Sequence, residues 1–339
     1  MKLIKNIGFA LAAFSCVQFA AAQQAPAANK LSAYVAIPGA GTGLMVLERS
    51  DGNGTFFYLQ KGTDQLMQAK ASACKLFYIQ TPADMAGALR SFYDGDYAAA
   101  RKAFASVKKK YAAYAGLPGS PCTMAALHEV TCAARMLDVA ALKSLAASIP
   151  GESALNAAEQ ARLDAARVLG MVNDQPDSFA PTKEAVEAAM KKHARNLDSE
   201  SNGWLRYALA RAAAAQVPAD QLQGTIAEDK VKAASVAVDF YCQAVMSMHG
   251  SHKAVPADAL NRALALLWAM PGVKDYAAKV SKPVDKKQWN AAPRDFREAA
   301  SMARYIKTLY PAEGNAADSL VDKVDAFYFN AKKGAKKGE

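Results

Sequence analysis

DMAGALRSFYDGDYAAARKAFASVKKKYAAY, residues 84–114, is the stretch whose reading decides the fold. Asp94-Gly95-Asp96 places turn-forming residues at its middle. Beyond them Tyr97, Ala100, Phe104, Val107 and Tyr111 recur at intervals of three and four, which sets them on one face of a helix. The segment reads as two helices joined by a tight turn. Its apolar face must be buried against a neighbour.

Downstream the same signals continue. Residues 123–136 and 139–147 read as a second helical pair closed by Pro150-Gly151. Further helices are expected over 153–171, 181–196, 201–216, 229–248, 257–270, 295–310 and 316–331, each bounded by Pro, Gly, Asp or Asn. Between residues 272 and 293, Pro283 and Pro293 forbid one continuous helix. The chain is 52% hydrophobic but only 9% aromatic, because alanine carries much of the apolar fraction, and this favours closely packed small-residue helices. At 339 residues it could form one elongated helical stack or two compact domains, and the elongated form is favoured.

Upstream the pattern changes. Tyr34-Val35-Ala36-Ile37, Leu44-Met45-Val46-Leu47, Phe56-Phe57-Tyr58-Leu59 and Leu76-Phe77-Tyr78-Ile79 are short runs rich in β-branched and aromatic residues, separated by Gly-rich or Asp-Gly turns. They predict a small β module over 31–81, ended by Pro82, with a hairpin turn at Asp51-Gly52-Asn53-Gly54.

Residues 1–22 carry Lys2 and Lys5, an apolar run from Ile7 to Phe19 and then Ala20-Ala21-Ala22, the pattern of a secretory signal peptide. A membrane anchor and lipid attachment at Cys16 are weaker readings: the run is broken by Ser15, Cys16 and Gln18, and Ala13-Phe14-Ser15 is a poor lipoprotein signal. A flexible lead over 23–30 follows, and a basic tail over 332–339 closes the chain. The expected location is periplasmic or secreted, with no transmembrane segment in the mature chain. Removal of Lys2 and Lys5 would take the formal charge from +10 to +8. Basic runs at Lys108-Lys109-Lys110 and in the tail lack interleaved aromatics, so nucleic-acid binding is not expected.

Export would leave Cys74, Cys122, Cys132 and Cys242 where disulfides persist. On one helix Cys122 and Cys132 would lie ~15 Å apart, beyond the ~7 Å a disulfide spans. Cys74 is therefore expected to pair with Cys132 or, as second choice, Cys122, stapling the β module to the first helices. Cys242 reads as a buried thiol.

Phe296, Ala299, Ala303, Ile306 and Tyr310 repeat the spacing of Tyr97, Ala100, Phe104, Val107 and Tyr111. Both runs resemble the second helix of a tetratricopeptide repeat. Gly95, Tyr97, Ala100 and Phe104 match that family's turn and second helix, Ala88 its small first-helix position, and Pro311 the proline that ends a repeat. Asp84, Gly87 and Ala112 depart from the pattern, and the match covers residues 84–114 and 295–311. The resemblance implies a mainly α fold, an irregular α-solenoid of helical hairpins over 82–331, and a protein or peptide partner held in a groove.

No catalytic constellation is complete. Gly39-Ala40-Gly41-Thr42-Gly43 lacks the Lys-Ser/Thr of a P-loop and reads as a turn. Gly62 stands where a calcium loop beginning at Asp51 needs a bidentate acid. His128-Glu129-Val130-Thr131-Cys132 resembles a zinc-protease motif with Cys in place of the second His, but no third ligand is evident. His249 and His252 read as a polar helix terminus rather than a metal pair. Trp204, Trp268, Trp289 and Phe327-Tyr328-Phe329 read as core more readily than as a groove lining. The expectation is a non-catalytic interaction scaffold of the bacterial envelope without metal or cofactor. The alternatives are a metal-dependent hydrolase and a carbohydrate-binding envelope protein.

Overall fold

The computed structural model describes residues 30–39, 41–60, 65–250, 252–311 and 319–329. The expected signal peptide, the basic tail and nearly all of the flexible lead lie outside them. The chain is mainly helical, with a five-stranded antiparallel sheet at its amino-terminal end.

The sheet comprises β1 (Leu31–Ile37), β2 (Gly41–Ser50), β3 (Thr55–Leu59), β4 (Leu66–Lys70) and β5 (Leu76–Ile79), in the order β4-β3-β2-β1-β5. Leu31, Ala33, Val35, Leu47, Phe56, Tyr58 and Ile79 point inward and are buried. Phe56 and Phe77 touch beneath the sheet, ring centroids 5.0 Å apart, although their strands stand three spacings of about 4.8 Å apart. The sheet must curl toward its inner face, so its outer face is convex. In the β2–β3 turn the Asp51 carboxylate accepts from the Asn53 and Thr55 N–H groups at 2.8 and 3.0 Å. The strand β4 was not legible as a run, because Gln68 and Lys70 interrupt its short apolar positions.

Fourteen helices follow among the described residues. The first five are α1 (Ala83–Tyr93), α2 (Tyr97–Lys110), α3 (Pro121–Arg135), α4 (Val139–Ala147) and α5 (Ala157–Gly170). Next come α6 (Phe179–Lys192), α7 (Ser199–Ala214), α8 (Ala219–Gln223), α9 (Glu228–Ser247) and α10 (Ala254–Ala269). The last four are α11 (Val273–Ala277), α12 (Lys286–Ala291), α13 (Arg294–Leu309) and α14 (Leu320–Asp325). The expected helices recur within a few residues of their limits, but 272–293 holds two short helices, α8 was not expected, and of the run 316–331 the residues 316–318 and 330–331 lie outside the described ones while α14 covers Leu320–Asp325. Pro256 lies in the first turn of α10, where a missing N–H costs nothing.

The α1–α2 and α3–α4 turns share one hydrogen-bond pattern. Gly95 N–H donates to Phe92 O and Asp96 N–H to Ser91 O; Leu137 N–H donates to Ala134 O and Asp138 N–H to Ala133 O. Asp96 and Asp138 then cap α2 and α4 through Ala99 N and Ala141 N. Gly95 has φ +85°, and Leu137 adopts the same left-handed region at +54°. The opening stretch is thus a helical hairpin, repeated once in backbone geometry.

Two cores meet at α3. Ala88, Ala100, Phe104 and Val107 of α1 and α2 join the inner sheet face, Tyr111, Tyr114 and Cys122. Ala126, Leu127, Val130 and Ala133 of α3 belong to the second core, which runs through α5, α7, α9, α10 and α13. α3 is buried on almost every side, so that even Thr123, Glu129 and Thr131 lie in the interior. Helix packing runs between helices close in the chain, either consecutive, as in α1–α2–α3, α4–α5 and α9–α10, or with one or two helices skipped, as in α5–α7, α7–α9 and α10–α13.

The expected disulfide is not formed. Cys74, Cys122, Cys132 and Cys242 are all free thiols. Cys122 and Cys132 are buried in α3, and Cys74 Sγ contacts the Lys70 carbonyl oxygen at 3.3 Å. The sheet is joined to the helices by packing and by two long-range bonds instead: Tyr114 Oη donates to Leu47 O at 3.0 Å and Ser50 Oγ to Ala115 O at 2.6 Å.

Candidate functional site

The cavity with an apolar floor lies between α9, α10 and α13 and encloses about 410 Å³. The spacing of α13 builds its wall: Phe296, Ala299, Ala303 and Ile306 face the core, which turns Glu298, Ser301, Met302 and Tyr305 along the cleft. Val238 and Leu260 are buried beneath, and the Tyr305 ring is exposed at one side. On the lip Arg294 Nε donates to Glu298 Oε1 at 2.6 Å, with Asp239 opposite on α9. Burial, then the Glu298 charge, pushes the Asp295 carboxyl above its ordinary value. The lip thus carries two carboxylates, Asp239 and Glu298, to one guanidinium, Arg294.

Cys242 opens on the same cleft, but burial and then Asp239 and Glu298 raise its thiol pKa. A thiol held protonated is a poor nucleophile. A wider concavity of about 600 Å³ at α12 is lined by Lys286, Lys287, Asn290 and Ala291.

The zinc-like motif is dispersed. His128 lies stacked on Phe104 at 4.9 Å and edge-on to Phe92 at 5.1 Å. Burial, then the charges of Arg162 and Arg135, lowers its pKa to about 4. Glu129 is buried and paired with the Lys108 ammonium. Burial pushes the Cys132 thiol up to about 12. These residues serve packing, and among the described residues no group of three His, Cys, Asp or Glu could hold a metal ion.

His249 and His252 also part company. His249 is exposed, whereas the His252 side chain is buried with Nδ1 3.2 Å from Glu200 Oε1. Glu200 is the hub that sequence reasoning missed. Arg135 at the end of α3 grips it with two bonds, Nε to Oε1 at 2.7 Å and Nη2 to Oε2 at 2.8 Å. The same guanidinium lies 4.3 Å over the Phe92 ring and 5.3 Å from that of Tyr97. Burial alone would raise the Glu200 pKa, but Arg135 and His252 hold it at about 2. Beside it Arg162 binds Asp198, the N-cap of α7, at 2.5 Å. The network ties α3, α5, α7 and the entry to α10. Asp198 and Glu200 stand at the start of α7, where acids are favoured by the helix dipole, and nothing local in the sequence points to Arg135.

Five of the repeat positions are core. Ala88, Ala100, Phe104, Phe296 and Ala299 are buried, Tyr97 is half-buried and Pro311 is exposed just past α13. Trp204 and Phe327 are buried, Trp268 meets Phe327 at 5.9 Å, and Trp289 packs on Tyr328 at 5.7 Å. The glycine loop is a turn, with Gly39 and Gly41 at φ +80° and +92°; Ala40 lies outside the described residues. No helix among the described residues is long and apolar enough to cross a membrane. Comparison with protein-family models, curated proteins and solved structures finds no match.

Proposed function

We propose that this chain is an exported, non-catalytic interaction scaffold of the bacterial envelope, a tetratricopeptide-like stack of helical hairpins that holds a protein segment in the cleft between α9, α10 and α13. The observation that carries the reading is that cleft: an apolar floor, an exposed tyrosine wall and a lip where Asp239 and Glu298 outnumber Arg294. An apolar side chain fills the floor, and a lysine or arginine beside it meets the lip. The occupant is therefore an extended segment that carries both. The recurring turn of α1–α2 and α3–α4 and packing between neighbouring helices support the hairpin stack.

Ser301 is exposed on the cleft wall, so Ser301→Arg blocks the cleft and adds positive charge without disturbing the core. A photocrosslinker at Tyr305 is expected to capture a defined envelope protein, and Ser301→Arg, with unchanged melting temperature, to abolish the capture. Capture that survives Ser301→Arg, or a crosslinker that labels nothing in envelope extract, rejects the reading.

A further inference from the structure

The outer face of the sheet carries a second surface. Strand register places Leu44 beside Tyr34 and Tyr34 beside Tyr78, one row across β2, β1 and β5, with Leu76 next to Ala36 in the adjoining row. All four large side chains are well exposed, from Tyr34 at 44% to Tyr78 at 57%, and Val46 adds 42%. Five large apolar residues on one face of a small sheet form a patch of the kind that marks an interaction site.

The same face continues into positive charge. Arg49 and Phe57 are register partners on β2 and β3, with the guanidinium 3.9 Å over the ring, and Lys70 stands opposite Thr55 on β4. Glu48 is already paired with Lys30 at 2.9 Å, and Asp51 turns its carboxylate onto the hairpin backbone. The face is convex, because the sheet curls around the Phe56–Phe77 contact beneath it.

We infer that this face docks the protein onto an anionic lipid surface. Each feature fits that occupant. Tyrosine, with an apolar ring and a polar tip, suits the boundary between headgroups and acyl chains. Leu44, Val46 and Leu76 enter the acyl region, while Arg49 and Lys70 meet lipid phosphates. A deformable lipid interface closes on a convex surface, whereas two convex copies of this face touch over little area. The chain is basic, at +10 in full and +8 without Lys2 and Lys5, so approach to an anionic membrane is attractive over a longer range. This inference is independent of the cleft between α9, α10 and α13.

The test is co-sedimentation with vesicles of equal parts phosphatidylglycerol and phosphatidylcholine, beside vesicles of phosphatidylcholine alone. The chain is used from Gln23 onward so that its apolar leader cannot itself insert; every described contact lies within residues 30–329 and is retained. Binding to the anionic vesicles is expected, with little to the neutral ones. At about five-fold per basic residue, Arg49→Gln/Lys70→Gln should weaken it about thirty-fold. Tyr34→Ser/Tyr78→Ser should weaken it at least about ten-fold. Lys286→Gln/Lys287→Gln, an equal charge change on α12, should stay within about two-fold. Retained circular dichroism and melting temperature show that each variant is folded. The inference is overturned by three results. These are no binding to anionic vesicles, including the case where the face captures a protein instead, an equal loss in the α12 variant, and binding that survives loss of both tyrosines.

Discussion

Gly116 and Gly52 meet backbone to backbone: a Cβ on Gly116 would stand 2.0 Å from the Gly52 carbonyl oxygen. Gly151 approaches from the other side, where an added Cβ would fall 2.1 Å from Gly116 N. The β2–β3 turn, the segment after α2 and the loop after α4 thus share one junction, and this contact fixes the sheet on the helices where a disulfide was expected.

Gly116→Ala must therefore cost more than backbone strain. Its φ of +81° alone makes alanine unfavourable by ~1–2 kcal/mol, and the clash with backbone, which cannot rotate aside, adds to that. Gly119→Ala isolates the strain, because Gly119 has φ +69° with open space around its Cα. Urea unfolding should show Gly116→Ala losing clearly more stability than Gly119→Ala. Equal losses would mean that the junction yields without cost.

Acid should weaken the fold in two stages. The folded His128 imidazole stays neutral down to about pH 4, while in the unfolded chain it takes up a proton near 6.5. Between those values the unfolded state binds more protons, so stability falls as pH falls, by ~3 kcal/mol at most. Glu200 and Asp164, both held at about 2, act at lower pH. Their stabilising charge is complete above the unfolded carboxyl value near 4 and is lost as pH drops toward 2. His128→Leu, measured by urea unfolding at several pH values, should flatten the dependence between pH 6.5 and 4 and leave the lower stage. An unchanged slope would show that His128 titrates normally.

The hairpin was legible in residues 84–114 because its turn and its face are local signals: Asp96 caps α2, and Ala100, Phe104 and Val107 repeat every third or fourth residue. The second turn was harder to read, since Leu137 occupies the left-handed position that Gly95 marks openly. The Gly52–Gly116 and Arg135–Glu200 contacts join residues 64 and 65 positions apart, and Gly151 meets Gly116 across 35, separations that periodicity cannot report. Cysteine placement misled for the same reason. An expected export and an even count favour pairing, but α3 buries Cys122 and Cys132 where Cys74 does not bond them.

Phe104 has no exposed surface and stacks on His128. Phe104→Ala should cost ~3–5 kcal/mol in chemical unfolding. It should also raise the His128 pKa toward 6.5, since the ring that excludes water is gone, and this is readable by NMR. A variant of unchanged stability would place the ring outside the core.

The four free thiols should titrate without prior reduction. In urea the chain from Gln23 should react completely at Cys74, Cys122, Cys132 and Cys242. In the native protein Cys122 and Cys132, buried with pKa values near 11 and 12, should react far more slowly than the half-buried Cys74 and Cys242. A non-reduced digest that links Cys74 to either α3 cysteine would contradict this.

Glu200 is where one substitution should disturb the most helices. Arg135 is mostly buried and gives Glu200 two bonds, so Glu200→Ala leaves a cation and the buried His252 without their carboxylate. Removing one member of such a pair typically costs ~3–5 kcal/mol. Arg135→Met, which keeps the side chain's bulk over Phe92, should cost less, because Glu200 still has His252 at 3.2 Å and Arg162 at 4.0 Å. The double variant removes both charges, so its loss should be smaller than the sum of the two. Additive losses in this cycle would show that Arg135 and Glu200 act independently, with α3 and α7 joined by packing alone.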